Sequence, residues 1–244
     1  MNTVVIIPAR YASTRLPGKP LLAETGRPLI AHVVEAVKAA RGIDRVVVAT
    51  DDERIAGAVR ASGGEAVMTS THCRTGTDRL AEAAATLGLA DDDIVLNIQG
   101  DEPEIPPACV EALTRLLRET DAPMATLATP LPPGEAANPN KVKVVLDARG
   151  MALYFSRARI PHDRDGEGFD GYLLHLGAYA YRVAFLKRYA ALPQTPAEQA
   201  EKLEQLRALE HGYRIAVAVV EYDGAGIDTP EDYAAFVSRQ KKRK

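Results

Sequence analysis

Three cations follow the first apolar stretch of the chain. Arg10, Arg15 and Lys19 lie within ten residues of one another, directly after the run TVVIIP at residues 3–8. Arginine forks match the oxygens of a phosphate, and lysine supplies a compact positive charge. Gly18 allows the loop to bend closely around a ligand. These residue types predict a cradle for a polyphosphate, and an ordinary surface loop is the alternative. Neither G-x-G-x-x-G nor a Walker A pattern is present.

Two further stretches place a carboxylate at the end of an apolar run or before a helix. In IVLNIQGDEPE, Asp101 follows a buried strand, and in GIDTPED, Asp228 precedes a helix start that Thr229, Pro230 and Asp232 explain. Magnesium in proteins takes one or two carboxylates together with substrate phosphates and water. If Asp101 and Asp228 converge, they could hold Mg²⁺ between them. A solvated turn is the alternative for the first stretch.

Other polar residues could contact a base or a small molecule. In HCRTGTDR, the hydroxyls and backbone N–H groups of Thr75, Gly76 and Thr77 lie at a predicted helix start, which is an anion or base-edge site or simply a helix cap. His175 and Tyr179 interrupt an apolar strand, and His175 alone is as readily a structural histidine. No GxSxG elbow or Ser–His–Asp arrangement is visible, so acyl-transfer chemistry has no support.

The elements that must position these residues alternate between strands and helices. Strands are predicted at residues 3–8, 45–49, 65–69 and 93–98, and helices at residues 28–41, 52–62, 76–87 and 106–119. This order predicts an α/β fold, a mostly parallel twisted sheet with helices on both faces. Ligands of such sheets bind beyond the carboxyl ends of the strands. The cationic loop and Asp101 both follow such ends.

The pattern changes after residue 122. Strands are predicted at residues 124–130, 142–147 and 174–181 with few helices between them, so the region 123–182 is interpreted as a mixed-strand insertion within a single domain of 244 residues. A helix at 198–211, a strand at 215–220 and a closing helix at 230–240 complete the chain. The edge strands of the insertion are the expected dimer surface.

Composition excludes several classes of function. The formal net charge of −3 disfavours a general nucleic-acid binder. No apolar run approaches the ~20 residues of a membrane span, and no signal-peptide pattern is seen, so a cytoplasmic protein is expected. Cys73 and Cys109 form no CxxC pair and predict neither a zinc site nor a disulfide framework.

Nine stretches occur in the order of one known family. They are IIPARYASTRLPGKPL, TDDERI, TGTDRL, NIQGDEP, NPNKVKVV, ALYFSR, HLGAYAY, LEQLR and GIDTPEDY. Over nearly its whole length, the chain closely resembles the 3-deoxy-manno-octulosonate cytidylyltransferases, or CMP-Kdo synthetases. The resemblance implies a nucleotide-diphospho-sugar transferase (Rossmann-like) fold, a homodimer and dependence on Mg²⁺. It also implies the reaction of CTP with Kdo to give CMP-Kdo and pyrophosphate, for lipopolysaccharide biosynthesis.

The resemblance also implies roles by position. Arg10, Arg15 and Lys19 would contact the CTP phosphates, and Thr75, Gly76 and Thr77 would read cytosine. Asp101 and Asp228 would bind Mg²⁺, and Asp101, Lys19 and Arg10 would be catalytic. The sugar acid would contact six residues: Gln99, Arg157, His175, Tyr179, Glu204 and Gln205. One departure is His162, where the family has an aromatic residue.

Two other functions remain open from the sequence. The first is a cytidylyltransferase for a related acid sugar, such as an amino-Kdo or a sialic acid, because both need the same nucleotide half. The second is a nucleotide-binding module without catalysis, which would keep the cationic loop and could dispense with the metal carboxylates. The presence of both Asp101 and Asp228 argues against the second.

Overall fold

The first strand is buried on both of its faces. Val4 and Ile6 pack into one apolar cluster, while Val5 and Ile7 pack into another on the opposite side. A strand that is apolar throughout is expected where helices cover both sides of a sheet. The computed structural model describes residues 1–12, 16–73, 75–224 and 226–242.

The described residues form nine strands in one sheet. Their bounds are β1 Thr3–Ala9, β2 Arg45–Thr50, β3 Glu65–Met68, β4 Ile94–Asn97, β5 Met124–Pro130, β6 Lys143–Leu146, β7 Ala152–Ser156, β8 Leu173–Arg182 and β9 Ile215–Val219. The main order is β3-β2-β1-β4-β8-β5-β9, and β6 pairs with both β7 and β8. Neighbours β3-β2-β1-β4 and β5-β9 are parallel, whereas β8 is antiparallel to β4 and to β5.

Helices cover the two faces of this sheet. They are α1 Leu29–Lys38, α2 Glu53–Ala61, α3 Gly76–Thr86, α4 Pro107–Glu119, α5 Val183–Ala190, α6 Pro196–Glu201, α7 Gln205–Glu210 and α8 Pro230–Lys242. Helices α1, α2 and α4 contribute to one core cluster, and α3, α5 and α7 contribute to the other. The predicted fold class is therefore confirmed, as a mixed sheet whose main path is mostly parallel.

Three local predictions differ from the structure. The single helix predicted at 198–211 is wrong, because the chain forms α6 and α7 with Lys202 between them in a left-handed conformation, at a φ of 55°. Strand β7 and helix α5 were not predicted. Within the region 123–182, β5 and β8 lie in the main strand order, whereas β6 and β7 belong to the same sheet but lie off that order.

No helix in the described ranges is both long and apolar enough to cross a membrane.

Candidate active site

The ammonium group of Lys19 lies between two carboxylates. Its Nζ atom is 2.8 Å from Asp101 Oδ2 and 3.5 Å from Asp228 Oδ1, and it also donates to the Ile227 carbonyl at 2.8 Å. The two predicted metal-binding aspartates, which are 127 positions apart in sequence, therefore converge on one cation. Lys19 begins a short 3₁₀ turn after Gly18, whose φ of 68° is in the left-handed region that favours glycine.

Three chain segments meet to build this site. Lys19 comes from the loop after β1, Asp101 from the loop after β4, and Asp228 from the segment before α8. The Ile227 N–H donates to the Asp101 carbonyl at 2.9 Å and thereby fixes the third segment to the second. A Cβ atom at Gly100 would lie 3.0 Å from the Pro8 carbonyl oxygen. The absence of a side chain at Gly100 therefore permits the loop after β4 to approach the end of β1 closely.

Lys19, Asp101 and Asp228 line a cavity of about 370 Å³. Arg10 and Gln99 also line this cavity. One terminal nitrogen of Arg10 donates to the Cys73 carbonyl at 2.9 Å, which leaves other N–H groups of the guanidinium for a ligand. The predicted polyphosphate residues Arg10 and Lys19 thus share one cavity with Asp101. Arg15, the third predicted cation, lies outside the described residues.

The donor chemistry of the cavity fits a divalent cation. Asp101 and Asp228 present carboxylate oxygens, the ligand type that magnesium prefers, and the ammonium of Lys19 already stands between them as a cation. Within the described part of the chain, no group of three or more His, Cys, Asp and Glu side chains is arranged to hold a metal. A pair of carboxylates would leave the remaining ligand positions to substrate and water.

Glu102 was not assigned a role from the sequence but lies beside this pair. Its carboxylate accepts a hydrogen bond from the Tyr222 hydroxyl. Burial raises the pKa of Glu102 to about 7; the charges of Asp101 and Asp228 also raise it, whereas the Tyr222 hydrogen bond lowers it. The only sequence signal was its position in the GDEPE stretch.

A second cavity, of about 320 Å³, begins where the first one ends. Gln99 belongs to the lining of both. Four other residues predicted to contact the sugar acid line the second cavity, together with Gly76 and Thr77: His175, Tyr179, Glu204 and Gln205. The Gln99 amide lies 3.4 Å from the Gly177 carbonyl, so it bridges the end of β4 to the middle of β8.

The polar side chains of the second cavity are held in defined protonation states. Burial lowers the pKa of His175 to about 3, so its ring is neutral at physiological pH. The His175 Nε2 atom lies 3.1 Å from the Thr126 hydroxyl. Burial raises the pKa of Tyr179 well above its ordinary value, so its hydroxyl remains a hydrogen-bond donor.

Glu204 and Gln205 enter this cavity from the break between α6 and α7. Thr77 donates from its hydroxyl to Glu204 Oε2 at 3.0 Å. Burial raises the pKa of Glu204, and the Thr77 hydrogen bond opposes that shift. Gln205 is 3% exposed, and its Nε2 atom has no hydrogen-bond partner within the described ranges. An unpaired buried amide costs free energy, which a polar ligand would recover.

Two predicted residues have other contacts in the structure. Thr75 caps α3, because its hydroxyl accepts from the Asp78 N–H while the Asp78 carboxylate accepts from the Thr75 N–H. The Arg157 side chain donates to the carbonyls of Glu201 and Pro139, at 2.7 and 3.0 Å. Arg157 is not among the described residues that line either cavity, so its contact with the sugar stays a prediction.

Additional residues that the sequence did not indicate line the second cavity. They are Asn97, Met124, Gly177, Tyr181, Tyr189, Lys202 and Leu203. Tyr189 is on the unpredicted helix α5, and its hydroxyl donates to the Glu204 carbonyl at 2.6 Å. Lys202 has the left-handed backbone conformation between α6 and α7. A glycine at this position would have indicated the end of a helix from the sequence.

Comparisons with known proteins agree with this geometry. A sequence profile of the cytidylyltransferase family matches residues 4–215. A CMP:2-keto-3-deoxy-manno-octonic acid synthetase, solved in complex with CTP, is 44% identical, with 100% of each chain covered and a TM-score of 0.94. A cytidylyltransferase from Leptospira borgpetersenii serovar Hardjo-bovis is 18% identical over 98% of this chain and 86% of its own, and its TM-score of 0.64 shows a shared fold. The resemblance to the CMP-Kdo synthetases is confirmed, and the chain belongs to the cytidylyltransferase family.

Proposed function

We propose that this cytidylyltransferase activates the acid sugar Kdo, converting CTP and 3-deoxy-D-manno-octulosonate to CMP-Kdo and pyrophosphate. The observation that supports it most is the position of Gln99 in the walls of both cavities. A triphosphate beside Lys19 and Arg10 and a sugar beside His175 would meet at the end of β4. The relative that binds CTP shares this fold along its entire chain.

The reaction requires an oxygen of the sugar to reach the α-phosphorus of CTP. The anomeric hydroxyl attacks in line: its oxygen–phosphorus bond forms as its proton passes to water, and the bond to the departing pyrophosphate breaks. The triphosphate carries roughly four negative charges, so Arg10 and Lys19 would offset the charge that develops on the leaving group. No covalent intermediate with the protein is needed, and positioning supplies most of the acceleration.

Asp101 and Asp228 would hold Mg²⁺ in the first cavity. When bound, Mg²⁺ supplies positive charge to the phosphates and makes the attacking hydroxyl more acidic. The Lys19 ammonium, 2.8 Å from Asp101 Oδ2, would also contact the phosphates of the nucleotide. Lys19 is therefore proposed to hold the Asp101 carboxylate in place and to bind the nucleotide.

The second cavity offers the hydrogen-bonding groups that a polyhydroxylated acid requires. The Tyr179 hydroxyl is a donor, and the neutral His175 ring offers one donor and one acceptor nitrogen. The Gln205 amide nitrogen, which has no partner among the described residues, would donate to a carboxylate or hydroxyl oxygen of the sugar. The Glu204 carboxylate would accept from sugar hydroxyls. These contacts favour an acid sugar over a second nucleotide.

We also propose a homodimer that works in the cytoplasm and supplies lipopolysaccharide biosynthesis. Leu153 and Tyr154 on β7 and Phe169 in the following loop are exposed apolar side chains within the region 123–182. Large apolar side chains on an edge strand are typical of an interface between subunits.

The test is pyrophosphate release from CTP and Mg²⁺ with each of three sugars. Kdo, an amino-Kdo and a sialic acid are compared with a blank that lacks sugar, and release with Kdo is expected. Release with another acid sugar alone would keep the reaction but move the substrate assignment, with His162 as the first residue to change. CTP binding without release for any sugar would indicate a non-catalytic nucleotide-binding module.

A further inference from the structure

Glu82, on the second turn of α3, uses both of its carboxylate oxygens on one loop. Oε1 accepts from the Ser70 N–H at 2.6 Å, and Oε2 accepts from the Cys73 thiol at 3.1 Å. Both contacts join α3 to the segment between β3 and α3. The carboxylate therefore spans the two ends of a four-residue loop, residues 70–73, and determines how far apart they stand.

The start of this loop is fixed independently of Glu82. Arg79, which is fully buried, donates to the Thr69 hydroxyl at 2.5 Å and to the Asp51 carboxylate at 2.6 Å. The Thr69 N–H donates to the Thr50 carbonyl at 2.8 Å. Because Thr69 is anchored to the sheet in this way, the loop's other end depends on the Glu82 contact with Cys73 and on the Cys73 N–H, which donates to the Ser70 carbonyl at 3.4 Å.

The Cys73 end of the loop holds the guanidinium of Arg10. One Arg10 nitrogen donates to the Cys73 carbonyl at 2.9 Å. Burial raises the pKa of Cys73 to about 11, so its thiol is protonated and able to donate to Glu82. The chain of contacts thus runs from Glu82 to Cys73 and from the Cys73 carbonyl to Arg10, which lines the cavity beside Lys19 and Asp101.

We propose that Glu82 is a positioning residue for the nucleotide site, holding the 70–73 loop so that the Cys73 carbonyl orients Arg10 toward the phosphates of CTP. The inference rests on the proposed nucleotide role of Arg10. Without Glu82, the loop loses two anchors and the Arg10 fork is no longer fixed before CTP arrives. The free-energy cost of ordering the Arg10 side chain is then paid when CTP binds, and this cost lowers the affinity for CTP.

A merely structural role for Glu82 would give a different result, and the chain offers a matched control. Glu111, on α4, also accepts from a backbone N–H and from a side chain, both of Arg41, and so anchors the exposed turn after α1. Glu111→Ala removes a loop-anchoring carboxylate of the same kind, away from both cavities.

The experiment measures CTP affinity by calorimetry, the KM for each substrate and the melting temperature. Glu82→Ala is expected to weaken CTP binding about tenfold, with a similar rise in the KM for CTP and little change in the KM for the sugar. Glu82→Gln, whose single amide oxygen can replace only one of the two contacts, should recover only part of the loss. Glu111→Ala should change the melting temperature alone.

A double-mutant cycle with Arg10→Ala separates the inference from the function on which it rests. If Glu82 acts through Arg10, Glu82→Ala should add less than about twofold to the effect of Arg10→Ala. Full additivity, or unchanged CTP affinity in Glu82→Ala, would overturn the positioning role while leaving Arg10 as a CTP contact. Unchanged affinity in Arg10→Ala would refute that contact and the positioning role with it. If Glu82→Ala does not fold, Cys73→Ala and Glu82→Gln are measured in the same cycle, and additivity would again refute the role.

Discussion

Replacing Thr77 with valine tests which half of the site this residue serves. From the sequence, Thr77 was assigned to cytosine recognition, yet its hydroxyl donates to Glu204 Oε2 at 3.0 Å in the second cavity. Thr77 is 5% exposed, and valine has nearly the same shape, so the change removes the hydroxyl with little change in packing. Thr77→Val should therefore impair use of the sugar rather than use of CTP.

The expected size follows from the kind of bond that is lost. A hydrogen bond to a charged group contributes about 1.5–3 kcal/mol, and because Glu204 is partly open to the cavity, the lower limit applies. If sugar binding needs the Glu204 position that this bond fixes, a loss of about 1.5 kcal/mol sets an upper limit of roughly a tenfold rise in the KM for the sugar. The lost bond favoured the ionised carboxylate, so the pKa of Glu204 should also rise further above its ordinary value.

The assay is pyrophosphate release with one substrate varied while the other is saturating. Thr77→Ser keeps the hydroxyl and should retain most of the affinity for the sugar. Thr86→Val is the control for removal of a helix hydroxyl, because Thr86 lies on the same helix and its hydroxyl donates to the Glu82 carbonyl at 3.0 Å. It should leave both KM values within twofold of the unmodified protein.

Two results would refute this reasoning. A rise in the KM for CTP with an unchanged KM for the sugar would return Thr77 to the nucleotide half, as the sequence suggested. The second result is that Thr77→Val raises the KM for the sugar by the same factor in the unmodified protein and in a Glu204→Gln background. That result would show that the two side chains do not act together.

Three further predictions concern the metal pair, the junction of strands and the buried histidine. Asp101→Asn should lower kcat at least about 100-fold with only a small change in melting temperature, because the ion pair with Lys19 is partly exposed; near-normal turnover would contradict the proposed metal role. Gly100→Ala should cost about 1–3 kcal/mol in urea unfolding because its Cβ would lie 3.0 Å from the Pro8 carbonyl oxygen, and an unchanged midpoint would argue against that close approach. The pKa of His175 is lowered to about 3, so its contribution to stability is complete above the unfolded value near 6.5 and is lost as the pH falls toward 3, by about 2 kcal/mol at pH 5. Urea unfolding at pH 7.5 and pH 5 should show this loss in the unmodified protein and a smaller one in His175→Gln, and equal losses would contradict it.

The first half of the fold was predictable because local signals agree with tertiary structure there. Strand β1 contains a continuous apolar run at residues 4–7, as a strand buried on both faces should, and Pro8 lies one residue before its end. Helix α3 begins at the Thr75 capping box, and α4 begins with a proline in its first turn. In each case the residues that specify the boundary lie within a few positions of it.

The break between α6 and α7 was not predictable, because distant contacts determine it. Leu203, Leu206 and Leu209 have helical spacing, and Lys202 is an unusual residue for a left-handed position. The break is stabilised from outside: the Tyr189 hydroxyl donates to the Glu204 carbonyl, and a buried ion pair joins α6 to α7 between Glu198 and Arg207. Neither contact has a signal in the local pattern.

Strand β7 was missed because its exposed side chains do not alternate. Leu153 and Tyr154 are adjacent and both exposed, and a register shift lies opposite them in β6 between Val145 and Leu146. A strand with an irregular partner departs from the alternation of apolar and polar residues by which strands are identified in a sequence.

Candidate site residues at strand ends were easier to identify than their partners. Lys19 and Asp101 were found because strand ends of parallel sheets meet at one edge, and Asp228 was found because it precedes a helix whose start other residues explain. That Thr77 would bond Glu204, or that Arg157 would bond the Glu201 carbonyl, depends on side-chain directions that spacing does not specify.

The pairing of β4 explains why the two cavities meet at Gln99. On one side β4 is parallel to β1, so both strands deliver their carboxyl ends to the same edge, where the cations and Asp101 collect. On its other side β4 is antiparallel to β8, and the pairing ends where Asn97 faces Tyr179. The earlier half of β8, which includes His175 and Gly177, therefore extends past the end of β4 and forms a wall for the second cavity. A change from parallel to antiparallel pairing at a single strand thus places an edge that carries cations beside a polar wall, the arrangement that the proposed transfer between two substrates requires.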